Sequence, residues 1–212
     1  MRAPSPSFKS ELAAYRKWLD SHRECFENWE HDLALQVLAR WQRRAEDGPK
    51  ETDDAWIKIK STMVPADLYT AGEFIALVLE RRVHVEALKT NVLLKEPYDE
   101  AEFQRFLKQH LEIGGDDASF ARAAHDRRLR RALRNLLFSR DGKTAARERF
   151  MADFCNKFTE VCGQPHYEIV AYLTVIAFDI EVTAEAVRLG VRRDAKRRRE
   201  VLQLFAKKLT PP

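Results

Sequence analysis

The chain has 212 residues, of which 45% are apolar and 33% charged, with a formal net charge of +4. Apolar residues recur from Phe8 to Leu209, which excludes a disordered chain and leaves room for one sizeable core or two small ones. The three cysteines, Cys25, Cys155 and Cys162, are too few and odd in number for a disulfide framework, and they suit a reducing cytoplasm with buried thiols.

Helix signals follow one another along the chain. A first helix is predicted from Phe8 or Ser10 to Cys25, and a second from about Asn28 to Ala45, closed by "EDGPK". "AWIKIKST" alternates partly, as a strand would, but Trp56, Ile59 or Lys60, and Met63 also fit one helical face, which favours a helix capped by Asp53 and ended by Pro65. Thr70 and Glu73 form a capping box ahead of "FIALVLERRVHVEAL". Asp99 and Glu102 start a further helix, which Gly114 and Gly115 stop. Beyond it come a basic helix from about Ala118 to Phe138 and a helix from Thr144 to Cys162 closed by Gly163. The last third is predicted to hold a buried helix from His166 to about Ile180, a short one after Thr183, and a basic one ending near Leu209.

These elements make an all-α fold of eight to ten helices with short loops, read as one domain over 1–212, with subdomain joints at 48–52 and 114–117. The most apolar window, "IVAYLTVIAFDIEV", is interrupted by Asp179 and Glu181 and is too short to span a bilayer. The N-terminus carries no apolar run of the signal-peptide kind, so a cytoplasmic protein away from the membrane is expected.

Charge is strongly segregated. Residues 119–150 carry a net charge of +7 and residues 188–212 another +7, against −6 for 51–118 and −5 for 151–187. Such asymmetry bears on partners rather than on fold. In the first basic block Leu129, Ala132, Leu133 and Leu136 cover one side of a helix, and Arg127, Arg128, Arg130, Arg131 and Arg134 spread over the other. In the second, Val191, Ala195, Leu202, Phe205 and Leu209 are predicted to share the dry face, with Arg192, Arg193, Lys196, Arg197 and Arg199 pointing away. Arginine predominates, which suits bidentate contact with phosphate or carboxylate. Two amphipathic basic helices, at 119–138 and 188–208, would frame a groove for nucleic-acid phosphates.

Short motifs offer other chemistries. "TAEAVRLGV", with Ala186 and Gly190 four apart, resembles the turn of a helix-turn-helix, although Glu185, Lys196 and Arg199 stand where that motif carries apolar residues. "RFLKQH", Arg105 to His110, resembles the Arg-x4-His pair of the helical HEPN ribonucleases, and "RKWLDSH", Arg16 to His22, fits a looser Arg-x5-His form. The resemblance implies an Arg–His pair that positions an RNA phosphate and activates a ribose hydroxyl. His22 with Cys25, and Cys162 with His166, would supply a zinc set if the segments met, but packing of the thiols is the expectation and no metal or cofactor is assigned. Trp18, Trp29 and Trp41 are expected to pack the first two helices together, while a base-stacking role would need exposed rings.

The sequence thus points to a non-enzymatic helical protein that associates with nucleic acid through its two arginine-rich helices. The alternative is an adaptor whose basic helices meet an acidic protein partner, and the third reading is a HEPN-like ribonuclease.

Overall fold

The computed structural model of the chain describes residues 7–62, 70–90 and 144–209. The helices expected over Asp99–Gly114 and Ala118–Phe138, and with them Arg105, His110, Arg127, Arg128, Arg130, Arg131 and Arg134, lie outside the described residues. Seven α-helices and one 3-10 turn are present among the described residues, and no strand. They are α1 (Phe8–Ser21), the 3-10 turn (Arg23–Cys25), α2 (Asn28–Asp47), α3 (Pro49–Thr62), α4 (Ala71–Thr90), α5 (Thr144–Cys162), α6 (Tyr167–Phe178) and α7 (Ala184–Leu209). None is long and apolar enough to cross a membrane.

Helix starts follow the caps. The Ser7 hydroxyl accepts from the Ser10 backbone N–H at 3.3 Å, opening α1. Glu27 and Glu30 form a reciprocal capping box on α2. The Thr70–Glu73 box opens α4 as the sequence predicts, with the Thr70 N–H donating to Glu73 Oε2 at 2.7 Å and the Glu73 N–H to Thr70 Oγ1 at 3.2 Å. Gly163, at φ +75, ends α5 in the left-handed region that glycine enters without strain.

Three boundaries differ from expectation. The α1 helix ends at Ser21, with His22 as its C-cap, and the 3-10 turn Arg23–Cys25 follows where the helix was expected to continue. The α3 helix starts at Pro49, four residues before the expected cap, so Asp53 lies inside it. Proline is favoured at the first helical position because its missing N–H would be unpaired there anyway. The short helix after Thr183 and the basic helix are one helix, α7, which runs through Gly190 without a break. Thr183 caps it, accepting from the Ala186 N–H at 3.2 Å. The helix-turn-helix turn suggested by Ala186 and Gly190 is therefore absent: both residues are helical.

The chain divides into two compact units, 1–85 with 150–189, and 86–149 with 190–212. The 48–52 segment lies inside the first unit, and 114–117 lies outside the described residues.

In the first unit α2 packs against α1, α3 and α6. Its core is an aromatic run in which Phe8 lies 5.2 Å from Trp41 and 5.0 Å from Trp56, and Trp56 lies 5.7 Å from Phe74, centroid to centroid. The α6 helix is buried along nearly its whole length, from Ile169 to Ala177, which explains its unbroken apolar sequence. Its last carbonyls would be orphaned inside the fold. Arg40 of α2 donates to the Ile176 and Ala177 carbonyls at 3.3 Å, and Arg82 of α4 donates to the Ala177 carbonyl at 3.1 Å while covering the Phe178 ring at 4.4 Å. Cations at that end also oppose the helix dipole. Arginine in this unit is thus partly a structural residue.

Of the tryptophans expected to pack α1 on α2, Trp41 is fully buried, but Trp18 and Trp29 are 43% and 38% exposed. The Trp18 ring lies against His22, the residue that caps the end of α1, 4.7 Å away and nearly parallel. Leu12, Leu19, Val37 and Leu38 fill the interior of these helices.

Candidate functional site

The C-terminal basic block divides into two faces that the apolar pattern alone does not reveal. The buried stripe of α7 runs through Val187, Gly190, Asp194 and Val201, with Arg197 and Arg198 half-buried beside it. These positions recur at three- and four-residue steps, the spacing of one helical face. Ala195 and Leu202, placed on the dry face by the apolar pattern, are exposed. The face is rotated because its centre is an acid.

Within the second unit, Asp194 is 1% exposed and Glu148 of α5 is 2% exposed. Two carboxylates cannot stay ionised out of water without partners, since desolvation costs several kcal/mol for each ion. Arginines supply them. Arg193 Nε donates to Glu148 Oε1 at 2.6 Å, and Arg197 Nη2 donates to the other oxygen of the same carboxylate. Asp194 is met by Arg149 at 3.5 Å, by Arg198 at 3.2 Å and by Arg197 at 3.8 Å. Arg197 thus bridges both acids, and its side chain is only 18% exposed. Helical spacing makes this possible: Asp194 reaches Arg197 and Arg198 at i+3 and i+4 on its own helix, while Arg193 and Arg197 stand one turn apart facing Glu148.

The other predicted contacts of this block are differently placed. Arg192, Lys196 and Arg199 are exposed and have no ion-pair partner among the described residues. Their spacing of i, i+4 and i+7 aligns them on one open stripe of α7, opposite Asp194 and spanning about 10 Å along the axis. The structure therefore separates the five predicted residues into three cations open to solvent and two, Arg193 and Arg197, engaged by Glu148. Arg188, just before them, pairs with Glu185 at 2.7 Å.

Comparison with protein-family models, with curated proteins and with solved structures finds no match.

The remaining sequence candidates do not converge. Arg16 donates to Gln42 at 3.1 Å, whereas His22 holds Nδ1 2.8 Å from the Trp18 carbonyl, so the two members of the Arg-x5-His match serve separate partners. No group of three or more His, Cys, Asp or Glu side chains suited to a metal ion occurs among the described residues, and His22, Cys25, Cys162 and His166 form none. The His166 ring instead meets Phe158 edge-on at 5.7 Å.

The thiols are not all packed as expected. Cys25 is exposed, Cys162 is half-buried and Cys155 is buried. Burial pushes the Cys155 thiol up to about 12, so its thiolate fraction near pH 8 is on the order of 1 in 10,000. Alkylation of the native protein at that pH is expected to mark Cys25 and to leave Cys155 unmodified until denaturant is added. Peptide mass spectrometry reads the result, and native modification of Cys155 at the Cys25 rate would contradict its burial.

Proposed function

We propose that this chain binds nucleic acid through phosphate contacts from the open stripe Arg192, Lys196 and Arg199 of α7. The observation that carries the reading is that these three cations have no ion-pair partner among the described residues, in a helix where Arg188, Arg193, Arg197 and Arg198 each meet a carboxylate. Cations left without a carboxylate, aligned on one face, are matched to a line of phosphates; duplex DNA offers one charge per ~1.7 Å of axis. Backbone contact of this kind positions a protein without reading bases, so sequence-neutral binding is the form proposed. The protein is read as a binding subunit, not as an enzyme.

One observation favours a second reading. Leu202 is 46% exposed on the same helix and would serve as an apolar anchor for an acidic protein partner.

Salt separates the two. Three phosphate contacts give a slope of log K against log salt of about −2.7 for duplex DNA and about −2.1 for single-stranded RNA. Titrating the protein with each probe is expected to give one of these slopes and to identify the preferred nucleic acid by the tighter arm. No binding to either probe, with capture of an acidic peptide that Leu202→Ala abolishes, would replace the proposal with the adaptor.

A further inference from the structure

Four arginines of the second unit are engaged by the two buried acids and stand apart from the open stripe. Arg193 and Arg197 share Glu148, while Arg149 and Arg198 meet Asp194. Arg193 is the informative member. Its side chain is 56% exposed, comparable to a free surface cation, yet its Nε is tied to a carboxylate that is 2% exposed. A phosphate reaching the Nη groups of Arg193 would meet a charge that Glu148 already neutralises, and to take Nε as well it would have to displace that carboxylate. Displacing that carboxylate would leave a buried charge with one partner fewer and no water to replace it, so the exchange is disfavoured.

We infer that Glu148 is a positioning residue for polyanion binding: it withholds Arg193 and Arg197 from phosphate and restricts the contact to the three cations of the open stripe. The inference rests on the polyanion reading of α7. Its consequence is a weak, strongly salt-sensitive grip in place of the tighter one that five cations would give. Five contacts would steepen the salt slope to about −4.5, against about −2.7 for three.

Two variants test this against a duplex DNA of mixed sequence, about 20 base pairs long and contacted through its phosphates. Arg193→Gln removes an exposed charge that the inference places outside the contact. It is expected to leave both affinity and salt slope unchanged, and a slope shallower by about 0.9 would overturn the inference. Glu148→Gln removes the competing charge and frees Arg193, while Arg197 retains Asp194 at 3.8 Å. Its slope is expected to steepen to about −3.6, so that the affinity lost between 50 and 200 mM salt rises from about 40-fold to about 150-fold. An unchanged slope in a folded Glu148→Gln protein would also overturn the inference. If that variant does not fold, the Arg193→Gln comparison decides alone. Failure of the underlying reading looks different: the parent protein itself would not bind the duplex at low salt.

Discussion

Arg197→Glu is expected to destabilise the protein by about 3–5 kcal/mol, the cost of breaking a buried ion pair while leaving its partners uncompensated. Arg197 stands between Glu148 and Asp194, which are 2% and 1% exposed, and it is the one described residue that contacts both. Reversing its charge places a third carboxylate beside two that have no water to turn to. Arg193 would still hold Glu148, and Arg149 and Arg198 would still meet Asp194, but each acid would face a like charge within the same contact. Arg192→Glu, five positions earlier on the open stripe, is the control and should change stability by no more than about 0.5 kcal/mol. Urea unfolding followed by circular dichroism distinguishes them. Equal midpoints for the two variants would mean that the acid–arginine network contributes nothing to the fold.

That contrast marks where the sequence was legible and where it was not. Helix identity came through clearly, because local chemistry decides it. The Thr70–Glu73 box, Gly163 after Cys162 and the apolar run of α6 act within a turn or two of the chain, and each element formed where those signals stand. The start of α3 was displaced because Asp53 is a good capping residue, while Pro49, directly after Gly48, is a better first helical residue. The break expected near Gly190 did not occur. One glycine costs a helix only about 1 kcal/mol relative to alanine, which a 26-residue helix absorbs.

The face of α7 was misjudged for a different reason. A helical wheel assigns apolar residues to the interior, which suits the half-buried Val191 but not Ala195 and Leu202, both exposed. Asp194 is buried because Arg149 meets it from 45 positions away, and Glu148 completes the network from α5. No periodicity within α7 encodes a partner on another helix. A weaker signal was present: Glu148 lies between Arg147 and Arg149, and Asp194 is followed at i+3 and i+4 by arginines. An acid isolated in a strongly basic block is a candidate internal counter-ion. The same logic applies to Arg40 and Arg82, whose work at the end of α6 appears only once the fold brings the Ile176 and Ala177 carbonyls to them. Trp18 and Trp29 went the other way, since helical spacing from Trp41 does not ensure a shared interior.

Reversing Arg192, Lys196 and Arg199 together to glutamate is expected to abolish nucleic-acid binding and leave the fold intact. All three are exposed, have no ion-pair partner among the described residues, and lie opposite the buried stripe, so the packed interior loses no contact. The parent's electrostatic advantage at 0.1 M salt, from three phosphate contacts, is on the order of 500-fold. The variant should lose all of it and be repelled in addition. The decisive measurement is therefore the affinity of this triple variant for duplex DNA at 0.1 M salt, beside the parent, with helicity and urea midpoint recorded on the same preparations. A loss of at least about 100-fold with an unchanged midpoint is expected. Parent-like affinity in a folded triple variant would contradict it and return the open stripe of α7 to the status of a solvated surface.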